Sequence, residues 1–228
     1  MELLAPAGNM SQAMAGIENG CNALYGGLKH WGARSKCDNF SIDEYNDLLQ
    51  LCHNRNVKFY LTLNNLLLED ELRDISTLFY SNSIEFPDAI ICADIGLIDY
   101  LHNNFPDIPL HASTQFGAYT IHDINFLEQL GVSRVILGRE LSIAEIGKIT
   151  SATNLEIEVF VFGSQCIAFS GQCIWGGTLN KTSGNRGRCN GFCREIYECN
   201  GQIGEFLYQK DLDAIGLIDN LKKIGVSS

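Results

Sequence analysis

Acidic residues are missing from one stretch of an otherwise acidic chain. Between Glu158 and Glu195 there is none, although the 228 residues together carry a formal net charge of −11. Such a charge disfavours non-specific coating of nucleic acid, because phosphate repulsion dominates at long range. Also missing is any run of about 18 apolar residues, which a membrane-spanning helix needs. The N-terminus, MELLAPAGNM, lacks the basic flank and extended apolar core of a secretory signal. The chain is therefore expected to stay in the reducing cytoplasm, where its nine cysteines are not expected to form disulfides. There is no H-E-x-x-H, and none of the five histidines lies near the cysteine-rich stretch. Zinc-peptidase chemistry and a Cys–His pair therefore have little support.

What occupies the acid-free stretch is sulfur, glycine and positive charge. Cys166, Cys173, Cys189 and Cys193 follow C-x6-C-x15-C-x3-C, and Lys181, Arg186, Arg188 and Arg194 lie among or beside them. Gly163, Gly171, Gly176, Gly177, Gly184, Gly187 and Gly191 supply the turns needed to bring several thiols to one place. Structural zinc prefers C-x2-4-C knuckles, and only the second pair qualifies. A radical-type C-x3-C-x2-C run is ruled out because Cys199 comes too late. A [4Fe–4S] cluster accepts thiolates from irregular loops and fits best. Cys21, Cys52 and Cys92 sit in apolar segments and read as core residues, as do Cys37 and Cys199 more weakly.

Outside that stretch, short apolar runs alternate with amphipathic ones. The runs cover residues 2–6, 22–27, 58–64, 88–94, 109–114, 134–140 and 156–163, each suited to a strand buried on both faces. Between them, SIDEYNDLLQLCHNR, EDELRDISTLFYSN and TIHDINFLEQLG carry apolar residues at helical spacing. Ser41 and Glu44 form a capping box, and Gly131 closes its helix. The order predicts a single α/β domain, a TIM-like (β/α)8 barrel that stops before its eighth strand, with a cysteine- and glycine-rich insertion at 163–205. The competing architecture is an open seven-stranded sheet. A missing strand would leave an edge for a partner chain to complete.

A barrel places function at the C-terminal ends of its strands. Those positions hold Pro6, Gly8 and Asn9; Gly26, Gly27 and Lys29; Asn64 and Asn65; Asp94; His111, Ser113, Thr114 and Gln115; and Arg139 and Glu140. His111, Gln115, Arg139 and Glu140 are the catalytic candidates. Asn64, Lys181, Arg186, Arg188 and Arg194 are the candidates for holding substrate, and Trp31 and Trp175 for stacking on a base. Ser41, Ser142 and Asp211 are better explained as helix caps or loop residues.

The segments ELLAPAGN, YGG, ARSKCDNFS, TLNN, LHASTQ, GVSRVILGRELS, EVFVFGSQCIAFSGQC and NRGRCNGFCR together resemble the collagenase-like peptidase family U32, along the whole chain. The resemblance implies a TIM-like barrel with a [4Fe–4S] cluster. It also implies oxygen-independent hydroxylation of a pyrimidine in tRNA or rRNA, with prephenate as a co-substrate, or of a ubiquinone precursor. A collagenase-type protease and an auxiliary hydroxylase subunit are the alternatives. The chain departs from the family pattern at Phe162, Gln165, Trp175–Gly176 and Asp213. The fourth ligand is expected to be Cys193, with Asp213 or Cys37 as alternates.

Overall fold

The computed structural model describes residues 1–33 and 38–228. The elements follow as β1 (Leu4–Pro6), α1 (Met10–Glu18), β2 (Ala23–Gly26), α2 (Ile42–Asn54), β3 (Lys58–Leu63), α3 (Glu69–Tyr80), β4 (Ala89–Cys92), α4 (Ile95–Asn104), β5 (Leu110–Ala112), α5 (Ile121–Gln129), β6 (Val132–Ile136), α6 (Ile143–Thr150) and β7 (Glu156–Glu158). Each strand pairs in parallel with the next, in the order β1-β2-β3-β4-β5-β6-β7. This is the expected TIM-like architecture. The strands are shorter than the apolar runs that predict them, and β6 begins two residues earlier than expected, at Val132.

The two-residue period of a strand divides the apolar residues between two cores. On β3, Phe59, Leu61 and Leu63 pack outward with Tyr45, Leu48 and Leu49 of α2. Tyr60 of the same strand turns inward and packs with Ala23, Ala89, Ile91 and Ile136. Cys21, Cys52 and Cys92 are buried, and burial raises the pKa of each thiol, so they are inert core residues. The caps act as the sequence predicts: Ser41 with Glu44 and Ser142 with Glu145 both form capping boxes. Gly131 is left-handed at φ 80°, and a Cβ there would run into the His102 ring.

The gap between β7 and β1 is where the structure adds most. The last helix, Ile218–Lys223, is followed by Gly225 at φ 91°. Ser227 then donates its N–H to the Ile157 carbonyl at 2.8 Å and accepts from the Glu2 N–H at 2.7 Å. Val159 donates to the Ser228 carbonyl at 3.0 Å. The expected open edge is thus spanned by the chain's own residues 227–228, which bond to both sides of the seam.

Side chains close the same seam from inside. Arg134 of β6, its side chain only 3% exposed, reaches Glu2 at 2.6 Å, Glu156 at 2.6 Å and Glu158 at 3.2 Å. Its guanidinium also lies over the Tyr60 ring, 5.3 Å from the centroid, and the Tyr60 hydroxyl donates to Glu2 at 2.8 Å. Removing one member of a buried ion network leaves uncompensated charge, at a cost of about 3–5 kcal/mol. Arg134→Met is accordingly expected to lower the unfolding free energy in urea by about that amount. Glu156→Gln, at a half-exposed carboxylate, should cost less than about 1 kcal/mol. Equal effects of the two substitutions would contradict the seam's dependence on the buried guanidinium.

Candidate functional site

A cavity of about 510 Å³ opens at the C-terminal ends of the strands. Its walls combine apolar groups, among them Pro6, Tyr25, Ile91, Ile136 and Phe160, with the polar groups of Thr62, Asn64, Ser113, Thr114, Gln115, Arg139 and Glu158. Gly26 is required here, since a Cβ at that position would lie 2.5 Å from the Ala7 carbonyl oxygen. The Arg139 guanidinium carbon lies over the Phe160 ring, 4.1 Å from its centroid. Asn64 accepts the Ala33 N–H at 2.9 Å. Of the sequence-predicted site residues, Asn64, Gln115 and Arg139 therefore share one cavity.

His111 and Glu140 are not among the cavity-lining residues. His111 is buried edge-on against Tyr60 with ring centroids 4.8 Å apart, and its Nδ1 has no hydrogen-bond partner among the described residues. Burial, with the positive charge of Arg134 and Lys58, lowers its pKa to about 3, so the ring is neutral. Glu140 accepts the Tyr119 hydroxyl at 2.7 Å and the Ser170 N–H at 2.8 Å. It anchors a loop instead of facing the cavity.

That loop belongs to a long excursion leaving the barrel after β7. It begins at β8 (Phe162–Gly163) and returns at β11 (Leu212–Asp213), which pairs antiparallel with β8. Within it lie helix α7 (Trp175–Asn180) and the hairpin β9 (Tyr197–Cys199) and β10 (Gln202–Gly204). Ser170, left-handed at φ 48°, sits where Glu140 grips the backbone, and Tyr119 stacks on neighbouring Phe169 at 4.2 Å. Gln172 donates to the Gln115 carbonyl at 3.2 Å, and the Leu66 N–H donates to Asn185 at 3.1 Å. Arg186 makes a two-pronged ion pair with Glu71 at 2.6 and 2.7 Å and also donates to the Leu66 carbonyl. Gly187, at φ 71°, lies so close to Gly32 that no side chain fits. The excursion is thus fastened to the loops after β2, β3, β5 and β6.

This fastening gathers the cysteines. The Cys166 thiol is raised in pKa first by burial, then by Cys173, Cys193 and Cys189, so the other three sulfurs lie within electrostatic reach of Cys166. A Cβ on Gly184 would sit 3.7 Å from the Cys189 Cβ and 3.9 Å from that of Cys173, so both flank the bare glycine. The Gly191 N–H points at the Cys189 sulfur at 3.4 Å, and the Ala168 N–H bonds to Cys166, lowering its pKa against the effect of burial. Among the described residues, however, no three Cys, His, Asp or Glu side chains are drawn close enough to hold a bare metal ion. The four thiols form a loose group. Asp213 caps the Ile215 N–H at 3.3 Å from its place in β11. Cys37 lies outside the described residues.

The predicted substrate-binding cations divide. Arg186 is committed to Glu71 and acts as a clamp. Arg188 is exposed and contributes to holding the Glu71 carboxyl below its usual range, after the larger effect of Arg186. Lys181 is exposed at a left-handed helix C-cap, and Arg194 lies over Tyr208 at 5.1 Å. Trp31 packs against the outer core, whereas Trp175 stacks on Tyr197 within the excursion at 6.0 Å. Sequence reading missed Glu71 and Glu158. The alternation Glu156-Ile157-Glu158 in a buried strand was the signal for the second.

Fold and site together define a parallel-barrel protein whose mouth carries a fastened, thiol-bearing excursion. The chain belongs to peptidase family U32, whose model matches residues 8–228. It is 35% identical to a tRNA hydroxylation protein P of Escherichia coli, over 90% of this chain and 45% of that protein. It is 34% identical to a 23S rRNA 5-hydroxycytidine synthase of Escherichia coli, over 99% of this chain and 34% of that one. A protein named collagenase, from Porphyromonas gingivalis, is 25% identical over 99% of this chain and 59% of its own length. The chain thus spans about half or less of the hydroxylation relatives it matches. A solved U32 peptidase shares the fold with a TM-score of 0.61 at 15% identity, covering 72% of this chain and 70% of that one. No helix among the described residues is long and apolar enough to cross a membrane.

The clamp yields a direct test. Glu71→Gln is expected to speed amide hydrogen exchange at residues 184–190 while leaving the strands protected, and to cost about 1 kcal/mol in stability. Unchanged exchange in that segment would show that the Arg186 pair does not hold it.

Proposed function

We propose that this chain is the iron–sulfur part of an RNA-modifying enzyme that hydroxylates a pyrimidine in tRNA or rRNA without using molecular oxygen. The observation that carries the proposal is that three thiols lie within electrostatic reach of Cys166 on one excursion, which is fastened through Gln172 and Gly187 to loops lining the barrel-mouth cavity. The names of the relatives, tRNA hydroxylation protein and rRNA hydroxycytidine synthase, support the same reading.

The donor set fits a cluster better than a single ion. Thiolates on one zinc sit about 2.3 Å from the metal and hence within about 4 Å of one another. Four thiols from irregular loops, rather than a pair of short Cys knuckles, suit a larger centre such as a [4Fe–4S] cluster, which Cys166, Cys173, Cys189 and Cys193 would hold. Backbone N–H groups directed at sulfur, as at Cys166 and Cys189, favour the thiolate form and tune such centres. When bound, the cluster supplies electron-transfer or Lewis-acid chemistry at the mouth.

The chain's own residues do the rest. Lys181, Arg188 and Arg194 are exposed cations suited to drawing RNA phosphate toward the excursion. Arg139, over the Phe160 ring at the cavity wall, offers its guanidinium to an anionic co-substrate; a prephenate-like dianion matches that chemistry. Asn64 and Gln115 line the cavity and present hydrogen-bonding groups to a base turned out of its strand.

In cells grown without air, with this chain as the only family member, mass spectrometry of digested tRNA and rRNA is expected to show a 5-hydroxypyrimidine nucleoside. Cys189→Ala should bring it to background at unchanged protein level. Wild-type chain that adds no hydroxylated pyrimidine would contradict the proposal, as would a Cys189→Ala variant of undiminished activity.

A further inference from the structure

We infer that Glu158 is the proton-transfer residue of the mouth cavity, serving the pyrimidine that the proposed reaction brings there. The inference rests on that reading for its substrate, but its geometry stands independently.

Three carboxylates compete for Arg134. Glu2 has two further partners, Lys58 at 3.7 Å and the Tyr60 hydroxyl at 2.8 Å. Glu156 holds Arg134 at 2.6 Å, and its side chain is 54% exposed, so water stabilises its charge. Glu158 has the longest contact, 3.2 Å, and its side chain is 9% exposed. Of these three it alone lines the cavity. The groups facing this cluster are Arg134 from β6, Tyr60 and Lys58 from β3, His111 from β5, and Glu2 ahead of β1. With His111 neutral, the two cations cannot balance three carboxylates. The least solvated and least supported carboxylate takes the proton. Desolvation, partly offset by Arg134, accordingly lifts the Glu158 pKa to about 7.

A carboxyl poised near neutrality, on the wall of a cavity and backed by a fixed guanidinium, can both give and take a proton. The assigned step is a proton transfer alone. The carboxyl O–H bond breaks as a new bond forms between that proton and a carbonyl oxygen of the ring, whose lone pair accepts it. Arg134 neutralises the carboxylate left behind, and the reverse transfer restores the starting state. Two residues past the end of β7, Phe160 also lines the cavity, so its ring, with the Arg139 guanidinium over it, forms a wall near Glu158. A planar ring fits against such a wall.

The test has two arms on anaerobically prepared protein. In the first, 13C-glutamate labelling is expected to reveal one side-chain resonance titrating near pH 7 in the wild type and absent from Glu158→Gln. In the second, Glu158→Gln, folded by circular dichroism and retaining its thiol-centre absorbance, is expected to lose at least about a hundredfold in pyrimidine hydroxylation. The wild-type rate should fall as pH rises through about 7, where the carboxyl loses its proton; Glu158→Asp should keep a shifted form of that limb. No glutamate titrating near neutrality would overturn the inference, as would a Glu158→Gln variant as active as the wild type. If the wild type hydroxylates no RNA, the proposed substrate falls, and the titration arm alone decides whether Glu158 is the poised acid.

Discussion

One guanidinium holds the barrel's two sides together, and everything at the mouth is built on that. Arg134 stands on β6 and binds carboxylates from beside β1 and from β7, across the place where the strand order would otherwise end. Burying a charge this deeply is costly unless it is fully paired. The chain meets that cost by converging Glu2, Glu156 and Glu158 on it, with Tyr60 beneath. Backbone bonds from Ser227 to Glu2 and Ile157 complete the same closure. The strand order itself ends at β7, so these seam contacts fix the strand ends, and fixed strand ends give the cavity its shape.

On that rim the excursion is fastened by carboxylates that the barrel supplies. Glu71 takes Arg186, and Glu140 takes the backbone of Ser170. A glycine-rich segment with little core of its own needs such external anchors, because its conformational entropy is high and its buried apolar area small. The anchors are interleaved with the cysteines in sequence, Ser170 between Cys166 and Cys173 and Arg186 between Cys173 and Cys189, so each thiol lies within a few residues of a fixed point. The positive charge that the loop displays in sequence therefore has two uses. Arg186 is structural, while Lys181, Arg188 and Arg194 stay at the surface.

Much of this was legible in the sequence, for identifiable reasons. Seven strands and their parallel order follow from apolar runs alternating with capped amphipathic helices, and Ser41, Ser142 and Gly131 act as their residue types predict. Asn64, Gln115 and Arg139 reach the cavity because strand-end position alone points there. Less legible was anything that depends on long-range partners. Arg186 reads as a substrate cation until Glu71, more than a hundred residues away in sequence, is found against it. His111 reads as a catalytic candidate until its burial beside Tyr60 and Arg134 is seen. Glu158 lies in a run that reads as buried on both faces, but its role is hidden until Arg134 of the neighbouring strand is found against it. The seam was obscured because residues 227–228 are too few to read as a strand, yet their N–H and C=O groups reach both neighbours.

The account's central claim is that Cys166, Cys173, Cys189 and Cys193 share one inorganic centre at the barrel mouth. Membership in family U32 and the relatives named for RNA hydroxylation give that claim its chemical setting, and the fastened excursion gives it a place. Iron and acid-labile sulfide quantitation on protein prepared without air tests it most directly. The account predicts about four of each per chain, with a broad brown thiolate-to-iron absorbance. Colourless protein containing one zinc per chain, or no metal at all, would contradict it.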